Sequence, residues 1–319
     1  MKTNLKMIRK FLVIGIFMAI ALLGMFEPAF AQKIHVLLVW GTNDAAPGIS
    51  ASKELIEQQF AGMGIRQGGK YIASFTNLSG YEASGQNILD HCHRMAQNAG
   101  PDDTVFVYML CHGATVLLDS DPNRSWDNPN RIHVLSPLAS NANSMDFRGI
   151  GIKRYSILKA MKGGNHRLNV LITDSCSRFN PNPVVTPRGS KGGSLPKLLC
   201  ILLNSRGTIN WNSSNPNGGR DGQGELSMVL KDRTIFTKPF LMISKQNCDP
   251  RNYTERDFFR ELGSALVDDY VEQKEKSVGT TSYSTLIKQK QQTLTEFDDY
   301  GRVKTPWTEA DRVNYAKTK

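Results

Sequence analysis

Cysteine, tryptophan and histidine are scarce: the 319 residues hold five, four and six of them. None of the cysteines is spaced as C-x-x-C, which sets aside a metal centre built on paired thiolates. His91 and His93 flank Cys92, but residues two apart on a helix do not face each other, so they read as surface groups. Charge of one sign is nowhere concentrated. There is no block of five or six like charges and no interleaving of aromatic with basic residues. The net charge of +10 therefore reads as a solvated basic surface, and no nucleic-acid partner is expected. Ser50-x-x-Lys53 and Ser194-x-x-Lys197 lack the S-D-N and K-T-G that accompany serine acyl-enzymes. Gly149-x-Gly151 lacks a third glycine and a preceding strand, which leaves no dinucleotide site. Internal repeats are absent, and so is any second long apolar run.

The one long apolar run lies at the start. Lys2, Lys6, Arg9 and Lys10 precede Phe11 to Phe26, and Ala29-Phe30-Ala31 supplies small residues at a cleavage site. This is the pattern of a secretory signal, and the run falls short of the roughly 20 residues of a membrane span. The expectation is cleavage after Ala31, a secreted or periplasmic location and no stable membrane insertion afterwards. Loss of four positive charges and one negative takes the net charge from +10 to +7. An odd cysteine count in an exported chain leaves at least one thiol outside a disulfide, unless two chains are linked. Cys92, Cys111 and Cys200 lie in apolar patterns, where cysteine behaves as a small core residue. Cys176 alone has polar, turn-forming neighbours.

Beyond the signal, short β-rich runs alternate with helical periods. Strands are expected at 33–40, 71–78, 103–110, 167–173 and 207–211. Helices are expected at 50–60, where Ser50 or Ser52 can cap, through Ile88, Cys92 and Met95, and at 154–164 and 195–206. The unbroken apolar run "DTVFVYML" is of the kind buried on both faces of a parallel sheet. Strands separated by helices imply right-handed crossovers and an α/β fold, with a mostly parallel sheet flanked by helices on both faces. Residues 117–149, 177–194 and 212–224 are rich in Asn, Pro, Gly and Ser and read as loops, with "RIHVLSPL" as a candidate hairpin. The organisation expected is a signal at 1–31, one domain at 32–273, and a polar extension at 274–319, packed on the domain or trailing from it as a peripheral helix and tail.

In open α/β sheets ligands bind beyond the carboxyl ends of the strands. Two such ends carry reactive groups: "VFVYMLCHG" delivers His112 and Gly113, and "NVLITDSC" delivers Asp174 and Cys176. On neighbouring strands the imidazole and the thiol form a nucleophile and its base. A thiol with a pKa of about 8.5 needs a nearby imidazolium to exist as thiolate at neutral pH. The N–H groups of Gly113 and Cys176 are candidate oxyanion donors.

An apolar strand ending in His-Gly, followed 64 residues later by one ending in Asp-x-Cys, resembles the caspase-like cysteine peptidases of clan CD, the bacterial metacaspase-type branch in particular. "HVLSPLA", "RTIFTKPFLMI" and "TERDFFRELGSAL" extend the likeness over roughly residues 33 to 270. The resemblance implies a caspase-hemoglobinase fold and hydrolysis of peptide bonds in peptide or protein substrates by a Cys176/His112 dyad. It places Asp174 in the S1 pocket, favouring Arg or Lys at P1, because a partly desolvated carboxylate holds a cation and penalises an acid. Calcium dependence is a property of many metacaspases, although no acidic cluster here places a calcium site. Self-cleavage in the loops would fall at Arg188, Lys191 or Arg220. The chain departs from the family pattern at Ser177-Arg178-Phe179, where His-Ser-Gly usually follows the cysteine, at Leu110-Cys111 before the histidine, and near Ser52, where a second acidic residue of the pocket is usual. A catalytically inactive caspase-like domain used for binding or regulation is the alternative from another class, and a legumain- or clostripain-like peptidase is a third reading.

Overall fold

The computed structural model describes residues 32–41, 47–117, 131–138, 151–176, 195–216, 225, 227–230, 232–249, 252–276, 292–298 and 303–306. The chain divides into two units, 1–32 and 33–319, and the fold described here is that of the second. The expected signal at 1–31 and the candidate cleavage residues Arg188, Lys191 and Arg220 lie outside the described residues.

Five strands form a parallel core: β1 (Ile34–Trp40), β2 (Ile72–Ser79), β3 (Thr104–Leu110), β7 (Leu168–Asp174) and β9 (Gly207–Asn212). β1, β3 and β7 are buried at every position, the burial that the unbroken apolar run of β3 predicts. Antiparallel β11 (Thr295–Phe297) and β12 (Val303–Pro306) complete a seven-stranded sheet in the order β12-β11-β9-β7-β3-β1-β2.

Side-chain alternation splits the core between the two faces. Ile34, Val36, Leu38 and Trp40 of β1 point to one face, where α1 (Pro47–Gly62), α4 (Lys197–Asn204), α5 (Thr237–Ser244) and α6 (Glu255–Lys276) pack. Leu37 and Val39 point to the other, covered by α2 (Gly85–Asn98) and α3 (Arg154–Met161). The fold is thus α/β, with helices on both faces of a mostly parallel sheet, as the alternating pattern predicts.

Smaller elements complete the description. A three-stranded sheet joins β4 (His112–Leu117), β5 (Arg131–Ser136) and β6 (Ile152–Lys153). β4 and β5 make the hairpin for which "RIHVLSPL" is the second strand. Two-residue strands β8 (Leu195–Pro196) and β10 (Asn247–Cys248) pair with each other.

Two local readings change. The first helix begins at Pro47, so Ser50 and Ser52 lie within it rather than at its cap. Ser84 caps α2, its Oγ accepting from the N–H of Asn87 at 3.3 Å. In the polar C-terminal segment, 274–276 end α6, and β11 and β12 stand as two short sheet strands where a peripheral helix and tail are expected. Cys200 is buried in the core as its apolar pattern predicts, and it is bonded to Cys248 in a disulfide.

Candidate active site

β3 and β7 are adjacent and parallel, with Leu110 aligned to Asp174. One residue further the N–H of Cys111 still bonds the carbonyl of Asp174 at 3.2 Å. His112 and Cys176 each stand two residues past that last aligned pair, so the two strand exits meet at the carboxyl edge. The closeness is visible at Gly113. A Cβ there would sit 2.5 Å from the Cys176 carbonyl oxygen and 2.9 Å from Ser175 Cβ, so only glycine fits. Gly113 thus lies against Ser175 and Cys176 at the strand exits, with His112 next to it along the chain.

Of the three cysteines outside the disulfide, Cys92 and Cys111 are buried and Cys176 is partly exposed. Burial pushes the Cys92 thiol up to about 12 and that of Cys111 higher still, with the charge of Asp174 adding to the second. Those two are inert at neutral pH, which leaves Cys176 as the thiol with both access and polar company.

The Cys176 turn is held from several sides. Ser175 Oγ donates to Asn212 Oδ1 at 2.8 Å, and the carbonyl of Ser175 accepts from Asn212 Nδ2 at 3.1 Å and from Ser214 Oγ at 2.8 Å. Cys176 Sγ lies 3.7 Å from the carbonyl oxygen of Ser227 as donor. His133 on β5 places Nε2 3.0 Å from the carbonyl oxygen of Cys176. Sequence reasoning missed Asn212, Ser213, Ser214 and His133. The polar cluster "NSS" at the exit of β9, one strand beyond the cysteine strand, is the signal that could have found the first three. No local signal marks His133, because its approach to Cys176 depends on how the hairpin folds over the sheet edge.

Asp174 is 1 % exposed. One oxygen accepts from Ser213 Oγ at 2.7 Å and from Ser227 Oγ, and the other accepts from Thr234 Oγ1. Thr234 is tied in turn to Ser52, whose Oγ accepts from the Thr234 N–H at 2.6 Å. Ser52 thus stands one residue from the carboxylate. Burial pushes the Asp174 carboxyl up while the three hydroxyls pull it back. Among the described residues its hydrogen-bond partners are hydroxyls, and it forms no ion pair. Burial, and then the charge of Asp174, push the Tyr108 phenol up, and among the described residues its hydroxyl has no hydrogen-bond partner.

The C-terminal segment reaches the same region. Gln292 accepts from the N–H of Met228 at 3.0 Å and donates to Ser227 Oγ at 3.3 Å. Glu225 is fully buried, with one oxygen accepting from the N–H groups of Asn215 and Thr293 at 2.9 and 2.6 Å. Its carboxyl is pushed up to about 8 by burial, against the pull of Thr293 and Asn215. Among the described residues no three His, Cys, Asp or Glu side chains converge as metal ligands, and no helix is long and apolar enough to cross a membrane.

No family model matches the chain. No curated protein matches it either. Among solved structures it is similar to a protein from Geobacter sulfurreducens at 14 % identity and a TM-score of 0.43, covering 73 % of this chain and 88 % of that one. A likeness that distant carries no argument.

Proposed function

We propose that this chain is an exported cysteine endopeptidase of the caspase-like class, with Cys176 as nucleophile and His112 as its base, cleaving after Arg or Lys. The observation that carries the reading is the meeting of His112-Gly113 with Ser175-Cys176 at adjacent strand exits, around the one thiol with solvent access. The Cys200–Cys248 disulfide supports export, since such bonds persist in oxidising compartments.

In this mechanism His112 takes the thiol proton and the thiolate attacks the substrate carbonyl carbon. Negative charge gathers on the carbonyl oxygen, where the N–H groups of Gly113 and Cys176 are the donors. The imidazolium returns its proton to the leaving amine as the C–N bond breaks. Water then hydrolyses the thioester, with His112 as base again. A substrate guanidinium or ammonium pairs with buried Asp174 once the hydroxyls of Ser213, Ser227 and Thr234 turn aside. Self-cleavage at Arg188, Lys191 or Arg220 belongs to the same specificity.

The test is a P1-scanning coumarin-peptide library with and without calcium, joined to labelling by a peptidyl-Arg chloromethyl ketone. Cleavage after Arg and Lys, labelling of Cys176, and loss of both in Cys176→Ala and His112→Ala are expected. Cleavage after Asp would overturn the S1 assignment. A wild-type protein that is neither labelled nor active would instead favour a binding or regulatory module.

A further inference from the structure

We propose that His133 is a positioning residue for the nucleophile, donating its Nε2–H to the carbonyl oxygen of Cys176 and fixing the peptide turn that presents the thiol. The proposal rests on the peptidase reading, but it assigns a role outside the Cys176/His112 pair.

The hydrogen bond is 3.0 Å long and links the β4/β5 hairpin to the exit of β7, elements 43 residues apart in sequence. A carbonyl oxygen only accepts, so Nε2 must carry the proton, which specifies the tautomer. The ring is 2 % exposed. It stacks on Phe297 of β11 with centroids 5.5 Å apart and planes 20° from parallel. Phe297 also receives the guanidinium of Arg154, 4.6 Å from its centroid. Arg154 is itself fully buried, with Nε donating to Asn210 Oδ1 and Nη2 donating to the carbonyl of Trp211, both at 2.6 Å. The donor that holds Cys176 is therefore packed against a ring that is anchored to the central sheet.

The same surroundings separate this imidazole from the one at the strand exit. Burial, and then the charge of Arg154, pull His133 down to about 3, so it stays neutral across the range in which a cysteine peptidase works. It moves no proton. Its task is geometric: the carbonyl it holds belongs to the residue that supplies the thiol, so rotation of that peptide would move the sulfur and the Cys176 N–H from their places. A displacement of about 1 Å at reacting atoms costs on the order of 100-fold in rate.

The experiment compares His133→Phe, which keeps an aromatic ring against Phe297 but removes the donor, with His133→Gln, which restores an N–H at similar reach. Both are measured against wild type on the best P1-Arg peptide, in the intact disulfide-bonded protein. The expected result is a kcat roughly 100-fold lower in the Phe variant with KM unchanged, recovery to within about fivefold in the Gln variant, and pH-profile limbs that do not move, since the lost group does not titrate there. A Phe variant with more than half of the wild-type kcat, or a Gln variant no better than Phe, overturns the proposal. If the Phe variant does not fold, Phe297→Leu replaces it: lower kcat at constant KM supports the proposal, and unchanged kcat overturns it. A turnover-free arm separates this idea from the peptidase reading. The long-range proton–nitrogen spectrum of His133 should show a neutral Nε2–H ring from pH 5 to 9, whether or not any peptide is cleaved. A ring that titrates in that span, or that is protonated on Nδ1, defeats the proposal without touching the dyad.

Discussion

At the scale of single residues, the site sets a partly exposed thiol, Cys176, two residues from a buried carboxylate, Asp174. Among the described residues Asp174 forms no ion pair and takes its hydrogen bonds from Ser213, Ser227 and Thr234. Asp174→Asn keeps the shape and most of these bonds while removing the charge. The expected outcome is a folded protein whose kcat/KM on P1-Arg peptides falls roughly 100-fold, in line with about 1.5–3 kcal/mol for a hydrogen bond to a charged group. Equal rates in the two proteins would remove Asp174 from specificity. Gly113 makes a second residue-scale case. Gly113→Ala places a methyl 2.5 Å from the Cys176 carbonyl oxygen, a backbone atom that cannot rotate away. Overpacking of this kind costs roughly 1–3 kcal/mol, and a thermal melt with a parallel rate assay should show both lower stability and lower turnover.

At the scale of elements, the two C-terminal strands matter more than their length suggests. β11 pairs with β9 through Thr295–Asn212 and Glu296–Trp211, and so borders the strand whose exit holds the Cys176 turn. From that edge Phe297 stacks on His133, Gln292 donates to Ser227 and Thr293 holds Glu225. A chain ending at Gln291 would leave the Glu225 carboxylate without the Thr293 N–H and hydroxyl and would strip the packing from His133. Its expected phenotype is loss of turnover together with a lower melting temperature. A truncated enzyme with full kcat would show these strands to be ornament. The element also marks where sequence reading stops. β1, β3 and β7 were legible because strands buried on both faces are predominantly apolar. β11 is three residues long, and a period cannot be read from "TEF".

At the scale of the whole molecule, covalent and protonic links tune stability. The Cys200–Cys248 bond joins α4 to β10 across 48 residues of chain. In the loop-entropy account a closure of that length contributes about 4 kcal/mol, so the double Cys→Ser variant should melt about 10 °C lower by scanning calorimetry. An unchanged melting point would mean that the bond does not form. The pH dependence follows from two buried groups. His133 is pulled down from 6.5 to about 3 in the folded chain, so its contribution is present above 6.5 and is lost as pH falls toward 3. Glu225 is pushed up from 4.5 to about 8, so its contribution is present below 4.5 and is lost as pH rises toward 8. Between 4.5 and 6.5 the two slopes oppose each other. Denaturant midpoints should form a plateau there and fall on either side, with Glu225→Gln flattening the alkaline limb.

The sequence by itself determined the layered α/β architecture and the placement of His112-Gly113 and Cys176 at strand exits. Hydrophobic runs and their turns are local, and a parallel sheet sends successive strand ends to one edge. Only the tertiary structure decided which strands are neighbours, that Cys200 bonds Cys248, that three hydroxyls enclose Asp174, and that His133 and Phe297 stand behind Cys176. Those relations join residues far apart along the chain through packing and hydrogen-bond geometry, and such pairing leaves no periodic trace in the order of residues.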